Sequence, residues 1–325
     1  MPSWQSHLLS FISRVTFKRP GEKQAFDEWE TVRRVRRRVE DGRRWRAALP
    51  ADVRCEPTKI CGVGGEWLIP EGLRADEDHI IFYLHGGGYI FGSPATHRNL
   101  TMQLARAAQR RVLALDYRLA PENPYPAALD DALTAYRSLL EDEGIAPQRI
   151  TMGGDSAGGG LALATMLAAR EAGMPLPSAA FLYSPWTDLA ATGDSLRRNE
   201  ASDAMLSGKE VHRMSKLYFG TTSPLDPLIS PLYGNFQGLP PLLIQASDSE
   251  VLLDDSLRLA DRARAHGVEV ELRVRERLLH AWPIFVSYHL PEAYQTVDET
   301  VDFLRARRGP SSSADHDGPQ PVTAD

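Results

Sequence analysis

From about residue 53 the chain alternates short apolar runs with stretches of helical spacing. Ile80–Leu84 is a continuous apolar run, as expected of a strand buried on both faces. Similar runs at 112–115, 150–152, Ala179–Tyr183, 242–246 and 268–274 predict further strands. Between them the spacing of apolar residues predicts helices near 97–109, 126–142, 157–172, 253–266 and 291–307. Strands alternating with helices of this length predict an α/β fold: a mostly parallel central sheet with helices on both faces.

Two regions break the rhythm. Residues 1–50 carry two helical patterns, one through Leu8, Leu9, Ile12 and Val15 and one through Val32, Val35 and Val39, and are read as a helical N-terminal cap region. Residues 188–237 are loop-rich with a helix predicted near 207–219, and are read as a cap or lid inserted into a catalytic domain spanning 51–308. Residues 309–325 hold too little apolar content to bury and are read as a disordered tail.

Composition narrows the class. At 325 residues with 42% hydrophobic and 25% charged positions, the chain is an ordinary globular protein. The formal net charge of -6 argues against nucleic acid as a partner. An arginine cluster (Arg33, Arg34, Arg36, Arg37, Arg38, Arg43, Arg44, Arg46) is read as a solvated helix face paired with Glu28, Glu30, Glu40 and Asp41. The sharper alternative is an anionic membrane or nucleic-acid patch, and Trp4, Leu8 and Phe11 would touch lipid or cover a substrate entrance. Cys55 and Cys61 are too few for a disulfide scaffold and are expected to be free thiols on one strand face. No apolar run reaches the roughly 18 residues of a membrane span. Without a recognisable leader, the expectation is a cytoplasmic protein with no stable membrane insertion.

The candidate chemistry lies in two glycine-rich runs. Gly154-Asp155-Ser156-Ala157-Gly158-Gly159 follows a predicted strand and opens a predicted helix. A serine at such a turn takes strained backbone angles and projects its hydroxyl. His85-Gly86-Gly87-Gly88 follows the strand at 80–84, and backbone amides there suit an oxyanion. Ser156 needs a base. Of nine histidines, His280 sits in a loop beyond a strand end, where functional residues of open parallel sheets gather. A third, acidic group must orient that imidazole. Asp254 and Asp255 fit the first turn of the next helix, which leaves Asp248 or Glu250.

These motifs, with Asp116-Tyr117-Arg118-Leu119-Ala120-Pro121-Glu122 and Ser184-Pro185-Trp186-Thr187-Asp188-Leu189, resemble the hormone-sensitive-lipase-like esterases of the α/β-hydrolase fold over about residues 50–307. The resemblance implies a carboxylesterase needing no cofactor or metal. It assigns the acid to Glu250, which heads Glu250-Val251-Leu252-Leu253-Asp254, although aspartate is the commoner residue there. It implies an oxyanion hole from the amides of Gly87, Gly88 and Ala157, with Gly86 as the turn residue, and it allows a homodimer through the last strand and helix. Asp155 and the 116–122 run are read as structural.

Candidate pocket walls are Tyr89, Phe91, Trp186, Met205, Leu206, Tyr218, Phe219 and Trp282, a set suited to short or medium acyl chains. A lactone or an acetylated small molecule would fit the same chemistry. A trypsin-like protease is excluded by the order Ser156, Glu250, His280. A phosphate-binding loop is excluded because no Lys-Ser/Thr follows the glycines. A non-catalytic receptor on the same fold would have lost part of the serine, acid and histidine set, which is intact here.

Overall fold

The computed structural model describes residues 1–18, 28–41, 51–73 and 79–307. The predicted disordered tail lies outside the described residues, as do Arg43, Arg44 and Arg46 of the arginine cluster.

Among the described residues, eight strands form one sheet: β1 (Val53–Ile60), β2 (Val63–Pro70), β3 (Ile80–Leu84), β4 (Arg111–Asp116), β5 (Ile150–Asp155), β6 (Ala179–Tyr183), β7 (Leu242–Ser247) and β8 (Val270–Arg275). Their order is β1-β2-β4-β3-β5-β6-β7-β8. All pairs from β4 to β8 are parallel, whereas β2 runs antiparallel to both neighbours. The β1–β2 hairpin is absent from the runs predicted above. Only Val53 and Ile60 of β1 are buried and β2 opens on Val63-Gly64-Gly65, so neither strand carries a continuous apolar run. Cys55 sits on β1, but Cys61 falls in the turn after it, so the two do not share a strand face; both are free.

Among the described residues the α-helices are α1 (Trp4–Ser13), α2 (Glu28–Asp41), α3 (Pro94–Ala108), α4 (Ala127–Glu141), α5 (Ala157–Glu171), the single turn α6 (Ser195–Arg198), α7 (Gly208–Phe219), α8 (Leu253–Ala265) and α9 (Pro291–Arg305). Alternation along β3 divides the core: Phe82 and Leu84 face one side with Leu161 of α5 and Tyr136 of α4. Ile81 and Tyr83 face the other with Leu100 of α3 and Val297 of α9. Helix α5 is buried almost all round, which places its N-terminus at the centre of the sheet's carboxyl edge.

The N-terminal helices meet this body differently. Arg36 of α2 grips Glu122 through both carboxylate oxygens at 2.7 and 2.8 Å and donates to the carbonyls of Ile90 and Ala120. Arg34 pairs with Glu30 at 3.0 Å, in keeping with the solvated-face reading, but Arg36 takes a partner outside its own helix. In α1 the inward side is Ser6, Leu9 and Ser13, while Leu8, Ile12 and Val15 of the predicted apolar pattern are exposed.

Candidate active site

Ser156 stands between the last residue of β5 and the first of α5, with φ 52° and ψ -122°. Such angles are strained for a residue with a Cβ and are held by surrounding bonds. The Ser156 amide donates to the carbonyl of Tyr183 at 2.8 Å, and its own carbonyl accepts from the amide of Trp186 at 2.9 Å. Gly158 is required by close approach: a Cβ there would lie 2.0 Å from the carbonyl oxygen of Leu84.

The Ser156 hydroxyl lies 2.9 Å from Nε2 of His280, whose Nδ1 lies 2.7 Å from Oε2 of Glu250. A carboxylate can only accept, so Nδ1 carries the proton and Nε2 is left to accept from the serine. Glu250 is wholly buried, and its other oxygen accepts from the Ser247 amide at 3.0 Å. Burial works against a charged His280 ring, but the Glu250 hydrogen bond and charge outweigh it, with Asp203 and Asp155 behind. The imidazole pKa therefore stands above its ordinary value. Asp248, the alternative acid, is exposed and caps the loop by accepting from the Arg277 amide at 2.7 Å.

The glycine run after β3 folds back as a tight loop. Gly87 has φ 123°, and a Cβ there would lie 2.0 Å from the carbonyl oxygen of Phe91. Among the described residues, nothing accepts from the amides of Gly87 or Gly88. The Gly86 amide is already engaged, donating to Asp155 at 3.0 Å. Asp155 also accepts from the Tyr83 hydroxyl at 2.7 Å and faces Nε2 of His97 at 3.3 Å. Burial disfavours its charge, but His97 and the Tyr83 hydrogen bond hold the carboxyl below the usual range. Burial drives His85 down to about 3, so this ring stays neutral where it stacks on Tyr117 at 4.2 Å.

Residues of the 188–237 segment reach the acid loop in ways hydropathy could not signal. The Asn199 amide group donates to the carbonyls of Asp248 and Glu250, both at 2.8 Å. Asp203 accepts from the amide of Val251 at 2.9 Å and from those of Met205 and Leu206. Asp254 and Asp255 do open α8, but they also bind this region: Asp254 accepts from Ser195, and Asp255 from Thr187 and Asp188.

The proposed pocket walls separate into groups. Tyr89 stacks on Tyr218 at 3.7 Å beside Trp186, and all three are buried. Trp282 is buried against α9 and donates its indole N–H to Thr296 at 2.8 Å, which is a packing role. Met205, Leu206 and Phe219 are half-buried. Phe91 borders a cavity of about 150 Å³ with Arg36, Val39, Gly92, Ser93, Thr96 and Leu119. Met214 of α7 went unrecognised in the sequence; its sulfur would lie 2.6 Å from a Cβ on Gly88, so α7 sits directly on the glycine loop.

A serine on a strand-to-helix turn, hydrogen-bonded to a histidine that a buried carboxylate orients, is the arrangement of a serine hydrolase. A family model described as alpha/beta hydrolase fold matches residues 81–284, and the chain belongs to that family, among its hormone-sensitive-lipase-like ester hydrolases. An acetyl-hydrolase of Streptomyces hygroscopicus is 44% identical over 258 residues, covering 78% of this chain and 84% of that protein. An esterase of Acinetobacter venetianus is 38% identical, covering 77% and 82%. Among solved structures, an esterase from the bacterial hormone-sensitive lipase family superposes with a TM-score of 0.86 at 40% identity, covering 95% of this chain and all of that one. EstE5, in a crystal soaked with p-nitrophenyl butyrate, gives a TM-score of 0.86 at 36% identity, covering 94% and 99%. Among the described residues, no helix is long and apolar enough to cross a membrane.

Proposed function

We propose that Ser156, His280 and Glu250 are the nucleophile, base and orienting acid of a carboxylesterase for short acyl esters. The reading rests on the unbroken line of hydrogen bonds from the Ser156 hydroxyl through His280 to Glu250. His280 takes the serine proton as Oγ attacks the ester carbonyl, and the amides of Gly87, Gly88 and Ala157 receive the oxyanion. Collapse of the tetrahedral adduct breaks the acyl C–O bond. His280 protonates the departing alcohol and leaves an acyl-serine. Water, deprotonated by the same ring, then attacks the acyl-serine, and the proton returns to Ser156 as the acid leaves.

The short-chain preference is supported by Met214, which closes the space over Gly88. It is also in keeping with the acetyl-hydrolase relative and with the butyrate ester soaked into EstE5. Removal of an acetyl group from a small molecule is the form of the reaction that the acetyl-hydrolase relative favours. The test is a series of p-nitrophenyl esters from acetate to palmitate, together with lactones. Acetate and butyrate should turn over fastest, and Ser156→Ala should abolish release. Best activity on palmitate would overturn the short-acyl assignment, and an active Ser156→Ala would overturn the mechanism.

A further inference from the structure

Helix α1 is amphipathic in the wrong sense for a helix packed on a body. Ser6 and Ser13 are each 2% exposed on its inner side, whereas Trp4 is 71% and Phe11 66% exposed. Trp4, Leu8, Phe11, Ile12 and Val15 recur at the spacing of one helical stripe, and all five face solvent. The orientation is fixed by polar ties at both ends. Ser3, the N-cap, donates to Glu292 of α9 through its amide and hydroxyl. Beyond the other end, Arg14 donates to the carbonyls of Ala201 and Ser202, and Lys18 to those of Glu200 and Asp203. With Ser6 and Ser13 turned inward beside Leu9, the helix displays Trp4, Leu8, Phe11 and Ile12.

Charge is distributed to match. The first fifty residues carry twelve Lys and Arg against six Asp and Glu, although the whole chain has a formal net charge of -6. The remainder therefore holds an excess of twelve acids. The basic excess therefore lies in the same N-terminal stretch of sequence as the stripe, and an anionic surface attracts that stretch while the acidic remainder is repelled. Arg33 and Arg37 of α2 are exposed and available for such an attraction.

We propose that the α1 stripe docks this enzyme reversibly on an anionic lipid surface. Trp and Phe beside aliphatic residues make the apolar face of an in-plane interfacial helix, and the basic residues that follow α1 in sequence supply the attraction to anionic lipid. A second copy of the chain fits less well. Four side chains on a ten-residue helix, with Val15 just beyond it, present less than the ~800 Å² per partner of a stable protein interface. Two copies of this basic N-terminal stretch would also repel one another. Docking would hold an ester hydrolase where apolar esters collect, with Lys18 tied to the Asp203 residue that braces the acid loop.

The experiment is co-sedimentation of the full chain with phosphatidylcholine vesicles and with phosphatidylcholine–phosphatidylglycerol vesicles (about 3:1). Binding is expected to the second and not the first, and to weaken at about 0.5 M salt. The double variant Trp4→Ser/Phe11→Ser should bind at least about tenfold more weakly, and Arg33→Gln/Arg37→Gln should also weaken binding, both with unchanged turnover of p-nitrophenyl acetate. Equal binding to both vesicles, or binding that survives the Trp4/Phe11 change, overturns the proposal. So does a dimer in light scattering that the same change dissolves, which would make a second copy the occupant. Loss of acetate turnover with vesicle binding intact would instead make the stripe a cover for the substrate entrance. The esterase assignment is read separately, from Ser156→Ala on the soluble ester.

Discussion

The amide of Gly86 donates to the carboxylate of Asp155, so the residue next to the nucleophile holds the loop that supplies the oxyanion donors. One side chain thus sets the distance between the two halves of the reaction site. Asp155→Asn keeps the volume but removes the charge that faces His97 and adds a donor beside its ring. The expected result is a fall in kcat of about 10–100-fold with KM little changed, because the donors act on the transition state. A stability loss of about 1–3 kcal/mol should accompany it, since buried polar groups lose their match. Steady-state kinetics and thermal unfolding measure the two effects; a rise in KM alone would show that Asp155 does not position the loop.

Glu250 and Asp248 differ by two positions and by everything around them. Glu250→Gln should lower kcat by about 10³–10⁴-fold, because the amide no longer selects the tautomer with its proton on Nδ1. Asp248→Asn should stay within a few-fold of the parent, its role being confined to an exposed loop cap. Kinetics on one soluble ester decide between them.

The legible part of this site was whatever the backbone demands of local sequence. A nucleophile between small residues, a glycine loop after a buried strand and a histidine beyond a strand end each announce themselves within a few positions. The acid did not, because local sequence places both Asp248 and Glu250 in one loop, and what separates them is burial and reach to His280. Asn199, Asp203 and Met214 were invisible for a stronger reason: their partners lie on distant segments, and no hydropathy pattern records a hydrogen bond across the fold. The β1–β2 hairpin escaped because sheet edges need no continuous apolar run. For α1 the sequence left lipid contact and cover of a substrate entrance open for Trp4, Leu8 and Phe11, because periodicity reports that a helix has an apolar face, not where that face points.

The pH dependence follows from His280. Only the neutral ring can accept the Ser156 proton, so activity is lost as pH falls through the imidazole pKa. Glu250 and the acids behind it hold that pKa above its ordinary value against the opposing effect of burial. The acid limb of kcat/KM should therefore lie above ~6.5, the ordinary imidazole midpoint. In Glu250→Gln the residual activity should show this limb moved to lower pH, since a raising charge is gone and burial remains. A limb that does not move would mean that Glu250 leaves the ring's titration unchanged.

Met214 and Gly88 give the acyl-length preference a structural handle. Gly88→Ala puts a methyl group 2.6 Å from the Met214 sulfur and forces a side chain into φ 61°. Both effects fall on the oxyanion loop, so kcat should drop by about 10²–10³-fold. Met214→Ala alone leaves the loop's backbone untouched and opens space above it. The fastest ester should then shift from acetate or butyrate toward longer acyl chains, with acetate turnover held within a few-fold. Combining the two changes should recover only part of the Gly88→Ala loss, because the methionine is a flexible chain end whereas the left-handed backbone still costs about 1–2 kcal/mol for alanine. Full recovery would mean that the clash alone was responsible. An unchanged acyl profile in Met214→Ala would move the source of chain-length selection away from α7.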